Sequence, residues 1–64
     1  MINLSTVNRA LAQYNVQLVR GKGYFYFDGP GTERWAATAV YVNSLNQLSL
    51  EQWIDEYKYL SGEK

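Results

Sequence analysis

Three features of the sequence predict an α+β fold of order α-β-β-β-α, a three-stranded antiparallel meander with two helices packed on one face. Apolar residues recur at helical spacing only near the two ends of the chain, and short β-branched and aromatic runs fill its middle. Four of the five glycines fall in two clusters that separate those runs. At 64 residues the expectation is a single domain over residues 1–64, with no internal repeat, low-complexity tract or linker.

The first helix is expected over about residues 6–14, because Leu4, Val7, Ala10, Leu11 and Tyr14 form one stripe of a 3.6-residue period. Ser5 or Asn3 can accept a free first-turn N–H, and Asn15 tolerates the left-handed conformation that ends a helix. Asn8, Arg9 and Gln13 then belong to the exposed side. Residues 16–20 read as a strand with Val16 and Leu18 on one face and Gln17 and Val19 on the other. Gly21 and Gly23 permit the positive φ of a tight turn, and Tyr24-Phe25-Tyr26-Phe27 is the next strand of a hairpin. A looser hairpin is expected at Asp28-Gly29-Pro30-Gly31-Thr32, leading to a third strand over residues 35–42. In that strand Ala36, Thr38, Val40 and Val42 alternate with Trp35, Ala37, Ala39 and Tyr41. Residues 43–48 form a polar connection anchored by Leu45. The second helix carries the clearest start signal in the chain: Ser49 and Gln52 make a capping box, and Leu48 with Trp53 makes a hydrophobic staple. Its buried stripe is Leu50, Trp53, Ile54, Tyr57 and Leu60, with Gly62 placed as a left-handed C-terminal cap.

Composition removes most catalytic chemistry. Six Lys or Arg balance six Asp or Glu, so the net charge is zero and long-range attraction to nucleic acid or anionic lipid is not built in. Without Cys or His there is no disulfide, thiolate nucleophile, zinc finger or neutral-pH imidazole base. Glu51 and Asp55 share a helix face at i and i+4, which reads as a solvated surface and falls short of the six to eight oxygens typical of calcium. The serines lack an activating base. Neither glycine cluster precedes a helix, so neither cradles a phosphate. The expectation is a protein that is not an enzyme and uses no cofactor or metal. No apolar run approaches the length of a membrane span and the N-terminus lacks a secretory pattern, so the expected setting is cytoplasmic, with no membrane partner.

Two nucleic-acid-binding patterns come close without fitting. Arg20-Gly21-Lys22-Gly23-Tyr24-Phe25-Tyr26-Phe27 is similar to the RNP1 segment of RNA-recognition motifs, but Lys22 and Phe25 depart from it and the leading strand of that fold is missing. The α-β-β-β-α order is similar to that of double-stranded-RNA-binding domains, whose last helix opens with lysines; here Glu51, Asp55 and Glu56 stand there and would repel phosphates.

The remaining anomaly is ten aromatic residues, six of them Tyr. If Phe25 and Phe27 join both helices inside, period two directs Tyr24 and Tyr26 outward, with Trp35 or Tyr41 extending the pair and Arg20, Lys22 and Arg34 near the turns at the rim. Tyr and Trp beside Arg is a composition enriched in protein-recognition hot spots. These seven residues are the expected interaction surface, for a protein partner or a homodimer. The alternative is single-stranded nucleic acid held by aromatic stacking on the open sheet face. Charge is also uneven: residues 1–34 hold four basic and two acidic groups, whereas residues 35–64 hold two lysines and four acids.

Taken together, Val7-Asn8-Arg9-Ala10-Leu11, Gly23-Tyr24-Phe25-Tyr26-Phe27, Val40-Tyr41-Val42 and Leu48-Ser49-Leu50-Glu51-Gln52-Trp53 give the chain a pattern that resembles small uncharacterised proteins of bacteria and their phages or prophages. The resemblance implies a bacterial or phage setting and a role in binding other macromolecules, without any activity to carry over.

Overall fold

The computed structural model describes residues 2–62. The chain begins with helix α1 (Leu4–Leu11), which tightens into a 3-10 turn (Ala12–Tyr14). Strands β1 (Gln17–Arg20) and β2 (Phe25–Asp28) follow, then a 3-10 turn (Thr32–Arg34) and strand β3 (Ala39–Val40). Another 3-10 turn (Leu45–Gln47) leads to helix α2 (Leu50–Ser61). The sheet is an antiparallel meander in the order β1-β2-β3, and the α+β architecture is the expected one.

Local chemistry sets the helix ends. Asn3, rather than Ser5, starts α1: its Oδ1 accepts from the Thr6 N–H at 2.8 Å, so the helix begins two residues before the expected residue 6, at Leu4, the first member of its apolar stripe. Asn15 ends the segment at φ 64°. At α2 the capping box is complete, with the Gln52 N–H donating to Ser49 Oγ at 3.2 Å and the Ser49 N–H donating to Gln52 Oε1 at 2.8 Å. Gly62 closes α2 at φ 79°. A second capping box, Ser44 with Gln47, holds the preceding turn. That turn aims the Leu45 carbonyl at the indole of Trp53, whose Nε1–H donates to it at 2.9 Å. The bond lets the largest side chain of the core be wholly buried, because its one polar atom keeps a partner.

The core lies between the sheet and the two helices. Val7 and Leu11 of α1, Leu18 of β1, Phe25 and Phe27 of β2, Leu45, and Trp53 and Tyr57 of α2 are all buried in it. Trp53 meets Phe25 and Phe27 edge to face, with ring centroids at 5.5 and 6.4 Å. Tyr14 stacks on Tyr57 at 4.6 Å. The remaining expected members of the α2 stripe, Leu50, Ile54 and Leu60, are half-buried against the same cluster.

The third strand departs most from expectation. Of residues 35–42 only Ala39–Val40 pair with β2, through Phe25↔Val40 and Tyr26↔Ala39. Upstream, Gly31 at φ 90° feeds the Thr32–Arg34 turn, and Trp35 swings to the helix side, where its ring lies 5.9 Å from Phe27 and 5.8 Å from Tyr57. The expected alternation, which set Trp35 in phase with Tyr41, is therefore broken between them. Packing an indole against two core rings removes up to ~200 Å² from water, several kcal/mol at ~25 cal/mol per Å², whereas each further ladder bond contributes only ~1 kcal/mol.

Asn8 differs as well. It is half-buried, and its side chain grips the backbone of β1: the Leu18 N–H donates to Oδ1 at 2.5 Å, and Nδ2–H donates to the Leu18 carbonyl at 3.1 Å. The two sheet edges are consequently unlike. The Gly21 N–H donates to the Tyr24 carbonyl, so alternation along the antiparallel ladder turns the N–H and C=O of Leu18 away from β2, toward Asn8.

Candidate functional site

The side of the sheet away from the helices is built by period two. Phe25 and Phe27 face the core, so Tyr24 and Tyr26 face the other way, across from Gly21 and Val19 of the β1 side. One step beyond the Phe25↔Val40 pair, Tyr41 arrives beside Tyr24. The three phenol rings form a row with Tyr24 in the middle, its centroid 6.0 Å from Tyr26 and 5.9 Å from Tyr41, at interplanar angles of 35° and 43°. Tyr24 and Tyr26 are half-buried, while Tyr41 is 81% exposed.

Gly21 is a platform for this row. A Cβ at that position would stand 2.5 to 2.8 Å from atoms of the Tyr24 ring, so the ring rests on bare backbone. The turn beyond it places Gly23 at φ 82° with Lys22 exposed at the tip. In the sequence both glycines answer to the needs of a turn. The hairpin register, which pairs Gly21 with Tyr24, adds the packing role.

The seven expected surface residues do not all meet. Tyr24, Tyr26 and Tyr41 come together, and Lys22 stands at the adjacent turn. Trp35 packs on the opposite side with Phe27 and Tyr57 and is separated from the tyrosine row. Arg20 also turns toward the helix side, its guanidinium carbon 5.1 Å from the centroid of the Phe25 ring, a cation–π contact across the β1–β2 pair. Arg34 is exposed on the turn that leaves the far end of β2, away from Lys22. The basic rim is thus divided between two ends of the sheet, because the second connection is a wound turn and not a hairpin mirroring the first.

Elsewhere the surface is less organised. A cleft of about 330 Å³ lies beside Asn15, Val16 and Gly29, and one of about 350 Å³ lies between the helices, lined by Ala10, Ile54 and Asp55 among others. The first is shaped by a close approach: a Cβ on Gly29, at φ 155°, would stand 2.6 Å from the Asn15 carbonyl oxygen. Tyr59, 80% exposed on α2, contacts no other aromatic ring among the described residues. Among the described residues no three His, Cys, Asp or Glu side chains are grouped to hold a metal ion, and no helix is long and apolar enough to cross a membrane. No protein-family model, curated protein or solved structure gives a significant match to the chain.

Proposed function

We propose that the protein is a non-enzymatic interaction module that docks a protein partner on the Tyr24, Tyr26 and Tyr41 face. The observation that carries this reading is the ring row itself: three contiguous phenols on a sheet face turned away from both helices, one of them 81% exposed. Tyrosine presents a large apolar body at low conformational cost together with a hydroxyl that bonds a partner, which is why it is enriched at recognition surfaces. A bacterial or phage accessory role in the cytoplasm belongs to the same proposal, supported by the sequence pattern and by the absence of Cys.

Single-stranded nucleic acid is the competing occupant, and the charges argue against it. Asp28 shares the tyrosine face, paired with Gln17, while Arg20 is turned to the other side, leaving Lys22 as the neighbouring cation. A phosphate backbone needs several such cations in a row.

The reading is tested by changing Tyr24 and Tyr26 to Ser together and comparing this variant with the wild type in quantitative pull-downs from a bacterial lysate at low and high salt. The expected result is salt-tolerant association lost in the variant, with an unchanged circular dichroism spectrum. Identical partner profiles for the two proteins would overturn it. Titration with oligo(dT) at low salt is expected to leave Trp and Tyr fluorescence unchanged; saturable quenching that weakens with salt would transfer the face to nucleic acid.

A further inference from the structure

The tyrosine face continues to an open sheet edge at β3, and we propose that this edge pairs antiparallel with β3 of a second copy of the chain, joining two three-stranded sheets into one of six strands. The proposal rests on the reading of the protein as an interaction module and adds a second contact, between copies of the chain, at the edge of the same sheet.

Two observations set β3 apart from β1. The Phe27 N–H donates to the Thr38 carbonyl, so Thr38 bonds inward to β2, and by ladder alternation the next residue, Ala39, directs its N–H and C=O outward. The corresponding groups on β1 belong to Leu18 and are both taken by the Asn8 side chain. Among the described residues, no hydrogen bond fills the outward pair on Ala39. A free strand edge is a template for another strand, and proteins that stay monomeric usually guard it with a very short strand, Lys, Pro, a bulge or a covering side chain. The β1 edge is covered by the Asn8 side chain, whereas the β3 edge has only the two-residue length of its strand to blunt it.

The sequence around β3 selects a second copy as the occupant. From residue 35 to residue 50 there is no charged side chain, so the edge offers nothing for an acidic or basic peptide to recognise and nothing to repel its own copy. Pairing about a two-fold axis at Ala39 sets Ala39 opposite the same residue of the second copy, where each supplies one N–H and one C=O. Ala37 then lies opposite Tyr41 in both directions. A small residue faces a large one twice, and an isologous contact needs that kind of self-complementarity. The two tyrosine rows become neighbours on one continuous face.

Sedimentation equilibrium on the full chain tests the pairing, with two variants at one position. Ala39→Pro removes the outward N–H without touching a bond to β2, and Ala39→Lys sets two like charges across the axis. The wild type is expected to dimerise, and each variant to weaken the dimer by about tenfold or more with circular dichroism unchanged; the Lys variant should recover in high salt. In hydrogen exchange, the Ala39 amide should be protected in the dimer and exposed on dilution. A wild type that remains monomeric at about 1 mM overturns the pairing. A dimer that survives Ala39→Lys at low salt overturns it too. If the pairing fails while the Tyr24→Ser, Tyr26→Ser variant still loses a partner, the tyrosine-face reading stands alone; if the dimer forms and that variant loses nothing, the face reading is the one that fails.

Discussion

The two sides of β2 make the most instructive comparison in the molecule. Phe25 and Phe27 on one side, and Tyr24 and Tyr26 on the other, are rings of nearly equal size on adjacent residues. The phenylalanines are buried under α1 and α2 with Trp53 against both, whereas the tyrosines stay half-buried in a row with Tyr41. One hydroxyl per ring separates the two fates. Buried without a partner, each hydroxyl would cost roughly 1 to 3 kcal/mol, so the rings able to go dry went inside and those with a polar tip remained at the surface. The helix-covered side therefore carries the stability, and the tyrosine side stays partly open to solvent.

Unequal cost of truncation is the direct test of that division. Trp53→Ala removes the ring that both phenylalanines pack on and should cost ~3 to 5 kcal/mol, comparable to the whole stability of so small a domain. Urea denaturation followed by circular dichroism should find the variant largely unfolded in buffer. Phe27→Ala is expected to cost nearly as much, ~3 kcal/mol or more, against less than ~1 kcal/mol for its neighbour Tyr26→Ala in the same assay. Equal losses for Phe27 and Tyr26 would erase the distinction between the two sides.

The edges of the sheet repeat the contrast on a smaller scale. Asn8→Ala strips the Leu18 backbone of both its outward partners and should cost ~1 to 3 kcal/mol. It should also speed hydrogen exchange at the Leu18 amide far more than at Phe27, which is bonded within the sheet. At the bottom of the scale, Tyr41→Ala should change the free energy of unfolding by no more than ~0.5 kcal/mol, because the side chain is 81% exposed. A large loss there would mean that the ring row is structural and not a docking surface.

Much of this was legible in the chain. The capping box at Ser49 and Gln52 depends on atoms three residues apart, and the left-handed ends at Asn15 and Gly62 depend on single residues, so short-range chemistry announces them. The inward Phe25 and Phe27 and the outward Tyr24 and Tyr26 follow from period two as soon as one face is known to be dry. Residues 35–42 also carry a fully alternating pattern, and there the local pattern loses to a distant contact. Trp35 meets Phe27 and Tyr57, eight and twenty-two residues away in the chain, and no local pattern encodes that meeting.

Asn8 shows the same boundary from the other side. As a sequence feature it is one more polar residue on the outer face of an amphipathic helix. Its grip on Leu18 exists because α1 lies along the free edge of β1, ten residues downstream. The sequence by itself determined the two helices and three strands, their order, the caps at Asn15, Ser49 and Gly62 and the side of β2 that is apolar, since each depends on contacts within a turn or on strict alternation. Tertiary structure alone decided which aromatic rings meet, where the basic groups separate and which sheet edge is closed, because those depend on side chains that the chain brings together only after its elements have packed.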